Sequence, residues 1–223
     1  GVPEGDRIPT EDDLQYMIAL YDAEIRFVDL VLENLVHGLR ERDALENTIL
    51  VITSDHGDEF MDHGGLGHGS TLERELIQVP LVITGLPSEA RRETALSRHI
   101  DVAPTILELA GAAYPGARGT PRTRSMTGTS MLPLLRGEAE EIHGPDELLG
   151  LSHRDHAYVR LGPWKLVSND QYQGTGTFAL YDLESDPGET TDVSDRFPER
   201  RAAMLDSLAV FRERMGVFIP PEG

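Results

Sequence analysis

Residues 48–70, TILVITSDHGDEFMDHGGLGHGS, run from an apolar segment straight into a loop of acids, histidines and glycines. Thr48 to Thr53 is a continuous, β-rich apolar run. A strand apolar on both faces belongs in the centre of a covered, largely parallel sheet. Residues 79–84, VPLVIT, read the same way. Upstream, Thr10 to Leu45 reads as one long helix. Leu14, Met17, Ile18, Tyr21, Ile25, Val28, Leu32, Leu35 and Leu39 recur at spacings of three and four, which predicts one apolar face packed on something large. Thr10 can cap this helix, and Glu11, Asp12 and Asp13 suit its positive start. Helix, strand, loop, strand is an α/β layer. Ligands of such sheets gather beyond the carboxyl ends of the strands, where Asp55 and His56 sit.

Composition narrows the chemistry. The chain has 223 residues, with 20 Lys plus Arg against 39 Asp plus Glu, a formal charge of −19. A phosphate backbone calls for Lys and Arg, so nucleic acid is not an expected partner. An acidic surface fits cation binding, or equally plain solubility or life in high salt. The absence of cysteine excludes thiolate metal sites, disulfides and any cysteine-derived catalytic group within these residues. No run approaches the roughly 20 apolar residues of a spanning helix, so no membrane partner is expected. Gly1 reads as a truncation or tag-removal end, which leaves the question of a leader open.

The stretch 51–70 holds four acids and three histidines. Asp offers hard oxygen and His offers nitrogen. Neighbours on a regular strand point to opposite faces, so Asp55 and His56 share a ligand only if the strand breaks there, and Gly57 permits the break. Two readings stand: a metal pair, or hydrogen-bonded turn residues. His63 and His68 lie in a glycine-rich loop that lets backbone approach a ligand, or that is simply a surface loop. Asp58, Glu59 and Asp62 read as solvated or as supports behind the ligands.

Further along, Asp101 to Ala110, DVAPTILELA, predicts a short helix capped by Asp101, with Pro104 in its first turn and Gly111 at its end. Residues 112–128 and 138–150 read as connections. From His156 onward, AYVRLG, WKLVSN and FALYDL look like short strands, ESDPGE is a turn, and Arg200 to Met215 is a closing helix ended by Gly216.

These residues together carry a resemblance. YDAEIRFVD…LENTILVITSDHGDEFMDHGGLGHGSTLERELIQVPLVITG resembles the second half of a sulfatase catalytic domain of the alkaline phosphatase superfamily. RHIDVAPTILELAG, GTSMLPLLRGE and LYDLESDPGETTDV follow in the order of that family, over nearly the whole chain. The resemblance implies an α/β fold. Residues 1–135 would form part of an alkaline-phosphatase-like sheet-and-helix body, and residues 136–223 a small antiparallel β subdomain with a C-terminal helix. It implies a sulfuric ester hydrolase acting on a sulfate ester, with a formylglycine nucleophile expected from an N-terminal segment. It also implies a divalent cation, calcium first, with magnesium or manganese as alternatives. By position Asp55 and His56 match the late metal-ligand pair. His68 matches the site of a side chain on the sulfate or leaving oxygen, often lysine in the family. An imidazole's ordinary pKa near 6.5 suits proton donation there. His63 and Lys165 are candidate substrate contacts, Lys165 otherwise being a strand-edge charge beside Trp164. A periplasmic or extracellular setting goes with the family.

No C/S-x-P-x-R nucleophile motif occurs here; Ser130-Met131-Leu132-Pro133 places proline one position late. The expectation is a catalytically silent chain that exposes apolar sheet surface and self-associates through it. The alternatives are a phosphatase or phosphonate hydrolase of the same superfamily, or a non-catalytic binding module. No Asp-x-x-x-His precedes the strand, which favours one metal over two.

Overall fold

The computed structural model of the chain describes residues 8–69, 71–114, 126–153, 156–168 and 177–216. It forms two compact units, residues 1–86 with 148–223, and residues 87–147.

The first unit opens with helix α1, Glu11–Glu41. Its start follows the sequence: Thr10 Oγ1 accepts from Asp13 N (3.2 Å), and Asp13 Oδ2 accepts from Thr10 N (2.9 Å), a reciprocal cap. The expected burial of one face is not what the structure shows, since no residue of α1 is buried. Tyr16, Leu20, Phe27 and Val31 form an apolar stripe beside the one read from the sequence, with Phe27 62% and Leu20 51% exposed. Apolar residues therefore spread well beyond one face, leaving a polar side with Asp22, Arg26, Asp29 and Glu33. Tyr21 meets Phe60 edge-on, with ring centroids 5.4 Å apart.

After a single 3-10 turn at Leu45–Asn47, strand β1 (Leu50–Thr53) pairs with β4 (Leu81–Thr84). The pairing is antiparallel, Leu50 opposite Thr84 and Thr53 opposite Leu81, which corrects the parallel expectation. A parallel pair needs a crossover, usually a helix of a dozen residues or more. The segment between these strands instead holds the short hairpin β2 (Glu59–Phe60) and β3 (Leu66–Gly67) and the one-turn helix α2 (Arg74–Ile77).

The rest of this unit is an antiparallel sheet in the order β5-β6-β7-β8: Leu149–His153, His156–Leu161, Trp164–Ser168 and Phe178–Asp182. Strand β5 begins within the stretch 138–150 that the sequence reads as connection. Helix α5, Pro198–Met215, closes the unit, and Gly216 ends it in the left-handed conformation at φ 65°. Alternate side chains serve the two faces. Ala157, Val159, Leu166 and Leu180 pack with Met204 and Leu208 of α5. Val167, Ala179 and Tyr181 pack with Leu72 and Ile77 on the opposite face. That second face seats the loop leading out of the glycine-rich stretch. Because β7 is an inner strand, Lys165 is not a strand-edge charge.

The second unit holds α3 (His99–Leu109) and α4 (Leu132–Leu135). Asp101 is not the cap but the third residue of α3. Its buried carboxylate accepts from the backbone N–H of Arg98 (2.7 Å) and Thr129 (2.8 Å) and from His143 Nε2 (2.7 Å). Pro104 lies beyond the first turn and cannot donate to the Ile100 carbonyl. That carbonyl faces Gly128, where an added Cβ would meet it at 1.8 Å. The loop reading for 112–128 falls partly outside the described residues.

Candidate active site

The last residue of β1 is Thr53, and the chain then turns sharply. Ser54 Oγ donates to the His56 carbonyl (2.7 Å), and His56 N donates to Asp55 Oδ1 (3.1 Å). Gly57 N donates to the Leu76 carbonyl (3.0 Å) at the end of α2. This approach is close: a Cβ on Gly57 would lie 2.0 Å from the Glu75 carbonyl oxygen. Gly57 thus lets the strand break against α2, and the break turns both preceding side chains to one side.

The structure brings Asp55 and His56 together. His56 Nδ1 donates to the Gly57 carbonyl (2.9 Å), so in the neutral ring the lone pair sits on Nε2. That nitrogen is 3.6 Å from Asp55 Oδ2. Two electron-rich atoms facing each other call for a proton or a cation between them. Adjacent ligands of a hard cation at 2.3–2.6 Å stand about 3.3–3.7 Å apart, so the pair fits one. Hydrogen bonding from its own backbone N–H, then the charge of His56, holds Asp55 below the usual carboxylate range.

His68 joins them from β3's end. Its ring lies 4.1 Å from that of His56, centroid to centroid. Its Nδ1 donates to Asp58 Oδ1 (2.8 Å), because a carboxylate only accepts. Asp58 thereby orients the ring and leaves Nε2 for a ligand. His56, Asp58 and His68 each offer a ligand atom within 4.8 Å of the others. The side chain of His68 is 57% exposed. Of the two sequence readings of Asp58, solvated or a support behind the ligands, the structure gives the support.

His63 sits elsewhere, with its side chain mostly buried. Nε2 donates to the Glu189 carbonyl (2.9 Å), and Nδ1 lies 3.3 Å from Glu75 Oε2. Burial alone would lower its pKa, but the Glu189 carbonyl and the Glu75 carboxylate outweigh it and the pKa is raised. Both groups facing the ring favour its protonated form. Glu59 is buried rather than solvated. Its Oε1 accepts from His63 N (2.7 Å) and Gly65 N (2.8 Å), and its Oε2 from Thr71 Oγ1 (3.3 Å). A Cβ on Gly65 would meet Glu59 Oε2 at 2.6 Å, so glycine is needed beside this staple.

Lys165 is 2% exposed. Its ammonium donates to both Glu189 oxygens (2.7 and 2.6 Å) and to the Leu72 carbonyl (2.9 Å). These use all three of its hydrogens.

Residues 3–112 match the Sulfatase family, and residues 62–209 match the family described as N-sulphoglucosamine sulphohydrolase, C-terminal. The chain belongs to the sulfatase family. Arylsulfatase K of Canis lupus familiaris is 30% identical over 202 residues, covering 85% of this chain and 36% of that protein. Delta 4,5-hexuronate-2-O-sulfatase of Bacteroides thetaiotaomicron is 26% identical, over 82% of this chain and 38% of that protein. The chain thus spans little more than a third of these sulfatases. Among solved structures, a 2-O GAG sulfatase superposes with a TM-score of 0.76 at 23% identity, over 93% of this chain and 45% of that one. The phosphonate monoester hydrolase of Agrobacterium radiobacter gives 0.72 at 24% identity, over 92% and 43%. These two likenesses establish the alkaline-phosphatase-like fold expected of a sulfatase C-terminal region.

Proposed function

We propose that this chain supplies part of the active site of a sulfuric ester hydrolase. One observation carries the reading: His56, Asp58 and His68 cluster beyond the carboxyl end of β1, with Asp55 Oδ2 3.6 Å from His56 Nε2. Asp55 and His56 would hold a divalent cation, with calcium favoured by the exposed carboxylate oxygens. Such a cation, when bound, polarises the sulfate oxygens as a Lewis acid.

The chain's own residues do the rest. Asp58 fixes the ring of His68, so that Nε2 faces the bound ester. As a nucleophile's bond to sulfur forms, the bond from sulfur to the leaving oxygen breaks. The electron pair stays on that oxygen, which takes the Nε2 proton of a doubly protonated His68; the ring becomes neutral and keeps its Nδ1–H on Asp58. Gly57 and Gly67, the latter at φ 74°, let the two backbones bring these rings together. Within these residues no nucleophile motif stands beside His68, so the chain alone should not turn over an aryl sulfate.

The test uses a polypeptide carrying this chain together with a C/S-x-P-x-R segment. His68→Ala should cost about 10² to 10⁴ in rate for esters with poor leaving groups, and less for an activated aryl sulfate. Equal losses would leave anion binding alone; unchanged rates would remove His68 from the chemistry. Comparing a sulfate with a phosphonate ester decides between this reading and a phosphonate hydrolase.

One observation favours a second arrangement. Two imidazoles and a carboxylate, His56, Asp58 and His68, form a set that suits manganese or zinc better than calcium. Manganese hyperfine spectra separate the two: one coordinated imidazole nitrogen in the first arrangement, two in the second. We further propose that α1 and the exposed Val82 side of the β1–β4 pair form a self-association surface.

A further inference from the structure

The loop that carries His68 is tied at both shoulders to the partners of one buried ion pair, Lys165 of β7 and Glu189 of the turn after β8. On the far side of His68, the Leu72 carbonyl takes a hydrogen bond from Lys165 Nζ (2.9 Å). On the near side, His63 Nε2 donates to the Glu189 carbonyl (2.9 Å). Lys165 and Glu189 are joined to each other at 2.6 Å. Glu189 therefore works with both ends: its carboxylate grips Lys165 and its backbone grips His63. To do so it adopts φ 56°, a left-handed conformation unusual for a non-glycine residue. The turn around it is fixed, since Asp186 accepts from Thr190 Oγ1 (3.0 Å) and Thr191 N (2.8 Å). Arg74 Nη1 donates to the Pro187 carbonyl (3.2 Å), a third tie to the same segment.

An ion pair this deep is a poor source of stability, because desolvation of both charges offsets their attraction. Two apolar side chains would fill the space at similar cost. What apolar side chains cannot do is fix a backbone carbonyl and, through a left-handed turn, a histidine ring. We infer that Lys165 and Glu189 are positioning residues for His68: they hold the 63–72 loop in the register that places His68 beside Asp58 and His56. This rests on the reading of His68 as the group facing the ester. It gives the sheet a function in the site, although neither residue touches substrate.

The test compares Lys165→Met with the double variant Lys165→Met, Glu189→Leu. The single change strands a buried carboxylate and can unfold the unit. The double change removes both charges and keeps the packing. In the folded double variant, amide exchange at residues 63–72 should rise at least tenfold, while β6 and β7 amides stay as in the parent chain. The nitrogen resonances of His68 should lose the signature of an Nδ1–H bound to Asp58. With the nucleophile segment present, the double variant should show the leaving-group dependence of His68→Ala, and Lys165→Arg should retain part of the parent rate. Unchanged loop exchange and an unchanged His68 ring in the folded double variant would overturn the inference. Those two readouts need neither metal nor turnover, so they judge the clamp even if the sulfatase reading fails.

Discussion

Replacing Gly57 by alanine should damage the site and the fold around it by a steric route alone. The new Cβ would lie 2.0 Å from the Glu75 carbonyl oxygen and 3.2 Å from its carbon. Both atoms are backbone, so no side chain can swing away. The 54–57 turn must instead retreat from α2 by more than 1 Å, given that ordinary contacts of this kind begin near 3.4 Å. That retreat breaks the Gly57 N to Leu76 O hydrogen bond of 3.0 Å. Overpacking costs about 1–3 kcal/mol, and a lost backbone hydrogen bond about 0.5–1.5 kcal/mol. Together these give about 2–4 kcal/mol. The assay is urea denaturation followed by the fluorescence of Trp164, the single tryptophan, which sits on β7 in the same unit. Gly67→Ala is the control: it has a left-handed φ of 74° but nothing within 4 Å of an added Cβ. Its cost should be near 1 kcal/mol, from backbone conformation only. If Gly57→Ala were as stable as the parent chain, the close approach of the turn to α2 would not exist and the Asp55–His56 geometry would lose its support.

Three further outcomes are expected. His63 has a raised pKa in the folded chain, so its stabilisation is fully present below the unfolded value near 6.5 and is lost as pH rises through the folded value. Denaturation midpoints should fall over that window, by at most about 1.4 kcal/mol per pH unit, and His63→Gln should flatten the slope. Asp101→Ala removes a buried carboxylate that serves three donors; it should destabilise the 87–147 unit by about 3–5 kcal/mol, read by hydrogen exchange in α3. Sedimentation of the chain should show self-association that the double change Leu20→Glu, Phe27→Glu abolishes, because both side chains stand exposed on α1; a concentration-independent monomer would contradict the proposed surface.

Much of the fold was legible because local signals were sufficient. Thr10 with Asp13 announces a helix start, and Gly216 announces a helix end. The apolar runs at 50–53 and 81–84 are strands. Their antiparallel direction was not legible, since hydrophobic pattern carries no information on chain direction and the connection had to be seen to hold no crossover helix. Strand β5 was hidden because Gly150 interrupts its pattern; a Cβ there would meet the Tyr158 carbonyl oxygen at 2.7 Å and the Phe211 ring at 3.1 Å. Asp55, His56 and His68 were named from residue type and family resemblance, and the structure brings His56 near both of the others. Asp58 and Glu59 read only as solvated or as supports, because adjacent acids look alike in sequence. Only the fold sends Asp58 to His68 and buries Glu59 under three donors. The cap was placed three residues late, at Asp101 instead of Arg98, for a similar reason: a carboxylate at the third position of a helix serves the start as well as one at the cap.

The most direct test of the account is a calorimetric titration of the chain with calcium and with manganese, repeated for Asp55→Ala, His56→Ala and His63→Ala. The account predicts one weak site on the parent chain, lost in the Asp55 and His56 variants and kept when His63 is replaced, because His63 Nε2 is bonded to the Glu189 carbonyl. No cation binding to the parent chain, or binding that survives loss of both Asp55 and His56, would contradict it.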